Sequence, residues 1–191
     1  TNDIGVAYIG DGSAEEGVFH ESLNLARIQK APVLFVVENN LFASHMHISL
    51  RQPSDMISRF AIANDIPYKL VDGNDVVAVA EETRELTKEI RMGKGPRLIE
   101  LVTYRWYGHV DWRDDVDVGV ERSLDDIEDW KARDPISRLS HSMMAEELWD
   151  QEQEDELNNE LDEKIKVAWE KAMSDPYPNP NATLKYVYSG N

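Results

Sequence analysis

Short apolar runs rich in β-branched residues alternate with longer helical patterns through the first hundred residues of the chain. This alternation is typical of βαβ units, in which helices cover a parallel sheet. The strands are predicted at residues 6–9, 33–37, 68–71 and 97–102. The helices between them are predicted at residues 15–28, 53–64 and 75–92. The pattern therefore predicts an α/β fold with a doubly wound parallel sheet.

The pattern changes after the last predicted strand. Residues 104–122 carry Gly, Asp and aromatic residues without a clear period, and a loop of this length inside a compact domain is more often functional than idle. Ser123 is predicted to cap a helix that runs to about residue 133, and a short helix restarts after Asp134. Residues 145–174 form a long, strongly charged helical pattern.

The composition is that of a globular protein with one core. The chain has 191 residues, 41% of them hydrophobic, which is enough to bury a single core. We predict one domain over residues 1–139, followed by an acidic helical extension and C-terminal tail over residues 140–191. The formal net charge of −17 excludes a nucleic-acid surface, because phosphate binding needs clustered Lys and Arg.

The lack of cysteine and of a long apolar run excludes several kinds of site. The sequence has no cysteine, which excludes disulfides, a thiolate zinc site and a Cys nucleophile, and favours an intracellular compartment. No apolar run approaches the roughly 20 residues of a membrane span, so no membrane partner is predicted. The chain opens almost directly on a strand without an initiator Met, and we therefore expect it to lack an upstream part.

The residues with the strongest chemical signal follow the first two predicted strands. Gly10, Asp11 and Gly12 end the first strand, and Asn39 and Asn40 end the second. The carboxyl ends of parallel strands face one crevice, so Asp11 and Asn40 can converge there. A carboxylate, an amide oxygen and a nearby backbone carbonyl are ligands suited to Mg²⁺.

The helix that follows Gly12 adds a site for an anion. Unpaired N–H groups and the positive end of the dipole lie at the start of a helix, so Gly12 and Ser13 can bind a diphosphate bridged to the metal. The alternative is that both motifs are ordinary turns, since Gly, Asp and Asn dominate turns for local reasons. Their joint occurrence at the ends of two parallel strands favours the functional interpretation.

The stretch from Gly10 to Asn40 resembles the thiamine diphosphate motif, which starts with Gly-Asp-Gly and ends with Asn-Asn after about thirty residues. Within it, EGVFHESLNLA and PVLFVVENN resemble the alpha subunits of thiamine diphosphate-dependent 2-oxo acid dehydrogenases of the pyruvate, acetoin and branched-chain type. The segments VDGND, TYRWYGH and RDPI extend the resemblance to about Leu139. The resemblance implies the diphosphate-domain type of doubly wound sheet.

The resemblance also implies roles for individual residues. Asp11, the Asn40 side chain and the Phe42 main-chain carbonyl would bind Mg²⁺, and Gly12 and Ser13 would bind the diphosphate. Two further cofactor contacts are implied in the segment TYRWYGH, where Arg105 would reach the diphosphate and His109 the reacting centre as the catalytic residue. An Arg suits a bidentate grip on phosphate, and a His suits proton transfer near neutral pH.

The partners implied by the resemblance are protein subunits. A beta-type subunit would supply the glutamate that activates the cofactor, giving a hetero-oligomer, and a lipoyl-bearing acyltransferase would take the acyl group. The cytoplasm, or the mitochondrial matrix in a eukaryote, is the implied compartment. Two alternatives to a decarboxylating dehydrogenase stay open: a split transketolase-like or acyloin-forming carboligase, and an assembly fragment that binds no cofactor.

One loop feature departs from the family pattern, and two further histidines are weak candidates for metal ligands. Many family members carry Ser after the Gly-His pair, whereas Val110 and Asp111 follow His109 here, which leaves open a related enzyme with another acceptor. His45 and His47 lie two positions apart without a third ligand of matching spacing, so we interpret them as loop residues.

Overall fold

The structure, a computed structural model, describes residues 2–110, 122–182 and 185. The chain divides into two compact units, Thr1–Ser142 and Met143–Asn191. The division proposed from the sequence, a cofactor domain to residue 139 and an extension beyond it, stays a prediction. No helix among the described residues is long and apolar enough to cross a membrane.

Among the described residues of the first unit, six strands form two sheets. They are β1 (Gly5–Gly10), β2 (Val33–Asn39), β3 (Phe42–Ala43), β4 (Met46–His47), β5 (Tyr68–Asp72) and β6 (Arg97–Val102). The larger sheet has the order β1-β2-β6-β5, and each neighbouring pair is parallel. The strands β3 and β4 form a short antiparallel hairpin. The α/β class and the four strands predicted from the sequence are thus confirmed.

The described part of the chain contains α-helices between and after the strands. They are α1 (Gly17–Gln29), α2 (Arg59–Ala63), α3 (Val76–Arg91), α4 (Leu124–Lys131), α5 (Pro135–Ala145) and α6 (Gln151–Ser174). The Asp75 side chain caps α3 by accepting a hydrogen bond from the Ala78 N–H at 2.9 Å, and Ser123 caps α4 in the same way. The predicted starts of these two helices are confirmed.

Alternating residues of the central strands pack against helices on opposite faces of the sheet. Phe35 and Val37 of β2 belong to one hydrophobic cluster with Phe19 and Leu23 of α1. Leu34 and Val36 belong to a second cluster with Leu86 and Ile90 of α3. Because successive side chains of a strand point to opposite faces, β2 contributes to both clusters. These two helices therefore fix the sheet from both sides.

The structure differs from the sequence-based expectation at the starts of two helices and at one hairpin. The helix predicted at residues 53–64 is reduced to α2, because the backbone N–H groups of Ile57 and Ser58 donate to the Glu100 carboxylate instead of to helix carbonyls. The helix predicted at residues 145–174 starts only at Gln151, where Asp150 and Gln153 form a capping box. The β3–β4 hairpin was not predicted, since each of its strands has two residues.

A small aromatic cluster lies beside the hairpin. Phe42, Tyr104 and Ile127 are buried together, and Trp130 stacks on Tyr104 with ring centroids 5.6 Å apart. The Phe42 ring meets the Tyr104 ring edge-on at 5.8 Å. The cluster joins β3, the segment after β6 and helix α4, and so fixes the position of Phe42.

Candidate active site

Polar residues at the carboxyl ends of β1 and β2 line one cavity of about 370 Å³. Gly10 pairs with Glu38 in the sheet, which puts the two strand ends side by side. Every site residue predicted from the sequence lines this cavity: Asp11, Gly12, Ser13, Asn40, Phe42, Arg105 and His109. Gly10, Glu16, Ala43 and Ser44 complete the lining.

Gly12 allows the hairpin to approach the Gly-Asp-Gly turn. A Cβ atom on Gly12 would lie 2.5 Å from the Ala43 Cβ, well inside van der Waals contact. The φ angle of Gly12 is −68°, so the glycine is required for close approach and not for an unusual backbone conformation. The lack of a side chain at Gly12 therefore brings Asp11 and the Phe42 backbone to the same cavity.

The turn after Gly12 presents backbone N–H groups before α1 begins. Residues Ser13–Glu15 form a 3₁₀ turn, in which the first hydrogen bonds run from Glu15 N–H to the Gly12 carbonyl and from Glu16 N–H to the Ser13 carbonyl, both at 3.2 Å. The N–H groups of Gly12 and Ser13 precede these bonded residues. They are thus suited to an anionic ligand at the start of a helical segment.

Asp11 has an ion-pair partner that the sequence did not indicate. Its carboxylate is 1% exposed, and its Oδ2 accepts a hydrogen bond from Nη2 of Arg51. Arg51 also binds Glu15 through Nη1, and its Nε donates to the Met46 carbonyl at 3.0 Å. One guanidinium is thus held between two carboxylates.

The two adjacent asparagines have different environments. Asn39 is fully buried, and its Nδ2 donates to Glu100 Oε1 and to the Asp55 carbonyl, each at 2.8 Å. Asn40 lines the cavity, and its Oδ1 accepts a hydrogen bond from the Phe42 N–H at 3.0 Å. Asn39 therefore stabilises the fold beneath the site, whereas Asn40 faces it.

Glu100 is a structural residue that sequence reasoning missed. It is 0% exposed, and its two oxygens accept hydrogen bonds from Asn39 Nδ2, Ile57 N–H and Ser58 N–H. A buried carboxylate is tolerated only when it is hydrogen-bonded in this way. The available signal was a charged residue in the middle of strand β6, between the apolar residues Ile99 and Leu101.

Arg105 and His109 reach the cavity from the segment after β6. Nη2 of Arg105 donates to the Ser44 carbonyl at 2.8 Å, which ties this segment to the hairpin tip. The His109 ring lies edge-on to the His45 ring, with centroids 6.0 Å apart. The interpretation of His45 as a plain loop residue therefore missed its contact with the predicted catalytic histidine.

The predicted active-site loop is described only in part, since residues 111–121 lie outside the described residues. At its far end, Arg122 donates from Nη2 to the Trp106 carbonyl at 2.8 Å and also binds the Arg105 carbonyl. Its guanidinium lies 5.9 Å from the centroid of the Phe42 ring and 5.7 Å from that of Tyr104. Arg122 thus joins the two ends of the loop beside the aromatic cluster.

His47 has a local structural role in the same hairpin. Its Nδ1 accepts a hydrogen bond from the Ser49 N–H at 3.3 Å at the start of a 3₁₀ turn. Among the described residues, no group of three or more His, Cys, Asp or Glu side chains could hold a metal ion.

A parallel sheet with a carboxylate, an amide and backbone N–H groups at one edge is typical of α/β proteins, in which ligands bind at the carboxyl ends of the strands. The family model described as "Dehydrogenase E1 component" matches residues 1–181. The chain belongs to the dehydrogenase E1 component family.

Several relatives are similar over almost the whole chain. The alpha subunit of mitochondrial 2-oxoisovalerate dehydrogenase from Homo sapiens is 36% identical over 188 residues, which are 98% of this chain and 42% of that protein. The alpha subunit of the pyruvate dehydrogenase E1 component from Porphyra purpurea is 33% identical over 188 residues, 98% of this chain and 54% of that protein. The corresponding Staphylococcus aureus (strain MW2) subunit is 32% identical over 187 residues, 98% of this chain and 50% of that protein. The chain spans about half the length of these relatives.

Proposed function

We propose that this chain is the part of an alpha-type subunit that binds thiamine diphosphate and Mg²⁺ in an enzyme that decarboxylates a 2-oxo acid and passes on the acyl group. The observation that carries the proposal is the cavity lined jointly by Asp11, Asn40 and Phe42 and by the Gly12–Ser13 turn. Membership of the dehydrogenase E1 component family supports it. The sheet would then be of the diphosphate-binding, doubly wound type.

The residues present fit a hydrated Mg²⁺ bound to a diphosphate. Asp11 offers a carboxylate oxygen, Asn40 an amide oxygen and Phe42 a backbone carbonyl, which is the hard-oxygen set that Mg²⁺ prefers. The close approach of Ala43 to Gly12 brings the hairpin and the turn to one point. The N–H groups of Gly12 and Ser13 would bind phosphate oxygens next to the metal.

Two side chains of the opposite wall would act on the rest of the cofactor and the substrate. Arg105 would grip the diphosphate with a charge-assisted hydrogen bond, because its guanidinium already reaches the cavity at Ser44. His109 would hold or move a proton at the reacting centre, since an imidazole changes its charge near neutral pH. Arg122 would help to position Arg105 and His109, because its guanidinium binds the backbone carbonyls of Arg105 and Trp106.

The activity would require other chains. Thiamine diphosphate supplies the electron sink for decarboxylation, and the protein supplies binding and orientation. A beta-type subunit would contribute the glutamate that activates the cofactor, and a lipoyl-bearing acyltransferase would accept the acyl group. The chain alone should therefore be catalytically silent, and the compartment would be the cytoplasm, or the mitochondrial matrix in a eukaryote.

Calorimetric titration of the assembled enzyme with thiamine diphosphate and Mg²⁺ tests the site. Asp11→Ala and Asn40→Ala should each abolish Mg²⁺-dependent cofactor binding while circular dichroism shows an intact fold, because each removes a hard-oxygen ligand. His141→Ala is the control, since His141 is an exposed residue of α5 outside the cavity lining. Unchanged cofactor affinity in both Asp11 and Asn40 variants would refute the site.

Product analysis tests the reaction. The chain is co-expressed with its beta-type partner and supplied with a panel of 2-oxo acids, and carbon dioxide and acyl transfer are measured. Acyloin formation from an added aldehyde, without acyl transfer, would favour the carboligase alternative. Failure of the assembled protein to bind any thiamine diphosphate would leave the assembly-fragment alternative.

A further inference from the structure

We infer that Arg51 is a positioning residue for the metal-binding carboxylate: it holds one oxygen of Asp11 so that the other faces the cation. This inference rests on the proposed function, because it concerns the Mg²⁺ site of the same cavity. Arg51 lies outside the Gly10–Asn40 motif and outside the cavity lining. Its role follows from its contacts alone.

The Arg51 guanidinium is fixed from three directions. Only 7% of its side chain is exposed, which is unusual for an arginine and requires pairing of the charge. Nε donates to the Met46 carbonyl at 3.0 Å, Nη1 binds Glu15, and Nη2 binds Asp11. Two of these three anchors do not involve Asp11, so Arg51 stays in place when the Asp11 carboxylate takes a second partner.

Glu15 is itself held by a chain of polar side chains. Its Oε1 accepts a hydrogen bond from Nε2 of Gln52 at 2.8 Å, and Oε1 of Gln52 accepts one from Nη2 of Arg59 at 2.5 Å. Because Glu15 also pairs with Arg51, the Arg51 charge is not balanced by Asp11 alone. The Asp11 carboxylate can therefore interact with a cation as well. The chain from Arg59 to Asp11 thus orients the carboxylate from outside the cavity.

The opposite role would be competition, in which Arg51 occupies Asp11 and must leave before a cation binds. The contacts favour positioning, because Arg51 engages Oδ2 only and is anchored independently at Met46 and Glu15. The two roles predict opposite effects. Loss of a positioning group weakens metal binding, typically by about 10- to 100-fold for groups that orient a ligand, whereas loss of a competing cation strengthens it.

Metal affinity of the assembled full-length protein, measured by calorimetry with Mn²⁺ at saturating thiamine diphosphate, tests the inference. Arg51→Gln should weaken Mn²⁺ binding by roughly 10- to 100-fold, and Arg51→Lys should restore part of the loss. Cofactor affinity at saturating Mn²⁺ should stay close to that of the unmodified protein, which a general structural defect would not allow. Arg84→Gln, an exposed arginine of α3, controls for the loss of a positive charge.

A second variant covers the case in which Arg51→Gln does not fold. Glu15→Gln keeps the side-chain shape but removes the counter-ion, so Arg51 then pairs with Asp11 alone and Mn²⁺ binding should again weaken. Tighter or unchanged Mn²⁺ binding in Arg51→Gln, or in Glu15→Gln, overturns the inference. If Asp11→Asn loses Mn²⁺ while Arg51→Gln does not, only the role of Arg51 fails. Failure of the unmodified protein to bind Mn²⁺ refutes the proposed function itself.

Discussion

The substitution Gly12→Ala tests whether close approach of the hairpin builds the site. The added Cβ would lie 2.5 Å from the Ala43 Cβ and 3.2 Å from the Ala43 Cα. Carbon atoms in contact normally lie about 3.5–4.0 Å apart, so the hairpin must move by about 1 Å. Overpacking of this kind costs about 1–3 kcal/mol of stability. In a chain of this length each kcal/mol lowers Tm by about 2–4 °C.

The effect on metal binding should be larger than the effect on stability. Phe42 precedes Ala43 in the hairpin, so a shift of about 1 Å carries its carbonyl away from Asp11. Functional constellations tolerate displacements of only about 0.5 Å. We therefore expect Gly12→Ala to lose measurable Mg²⁺-dependent cofactor binding at cofactor concentrations that saturate the unmodified protein, while thermal unfolding remains cooperative.

Two further variants serve as a control and as a rescue for Gly12→Ala. Gly17→Ala is the matched control, because a Cβ there would meet no atom within 4 Å and Gly17 does not line the cavity. Ala43→Gly in the Gly12→Ala background removes the nearest clashing atom and should restore part of both Tm and cofactor affinity. Equal behaviour of Gly12→Ala and Gly17→Ala, or no recovery in the double variant, would refute the packing argument.

Three more predictions follow from individual contacts. Glu100→Gln should lower the free energy of unfolding by about 1.5–3 kcal/mol, because hydrogen bonds to a buried charge are lost. Glu85→Gln, on the exposed face of α3, is the control and should change the free energy of unfolding little. Equal effects of the two variants in urea unfolding would contradict this prediction. Hydrogen bonds from Lys94 and then Arg97 lower the pKa of Glu89 to about 2, so its contribution to stability is complete above about pH 4.5 and is lost as the pH falls towards 2. The difference in urea midpoint between the unmodified protein and Glu89→Gln should therefore shrink between pH 6 and pH 2, and a constant difference would rule out this linkage. His45→Gln should reduce turnover of the assembled enzyme more than cofactor affinity, because the His45 ring contacts His109. His141→Gln, at an exposed histidine of α5, should change neither quantity. Steady-state kinetics with calorimetry would distinguish the two variants, and matched effects of both would count against a role for His45.

The features that the sequence predicted well are those with local causes. Apolar runs predict the four strands, and Asp75 and Ser123 predict the starts of α3 and α4, because each side chain accepts a hydrogen bond from the backbone three residues away. The convergence of Asp11 and Asn40 followed from the parallel direction of β1 and β2. In each case the controlling interaction lies within one element or one βαβ unit.

The features that were missed depend on contacts between distant segments. Arg51 reaches Asp11 across 40 positions, and Asn39 reaches Glu100 across 61. No period or motif links such residues, so a single sequence gives no reason to pair them. The shortened α2 has the same origin, since Glu100 on β6 takes the N–H groups that would have continued the helix.

Phe42 is proposed to bind Mg²⁺ through its backbone, but the position of that backbone depends on the packing of the Phe42 side chain. The oxygen proposed to bind Mg²⁺ belongs to the peptide backbone, so no substitution at position 42 can delete it. What a substitution can change is the aromatic ring, which is packed edge-on against Tyr104 within the cluster that includes Trp130. The position of the backbone oxygen thus depends on the packing of residues that are not proposed as metal ligands. Sequence drift in this protein could therefore impair the metal site through Tyr104 or Trp130 while every ligand atom is retained.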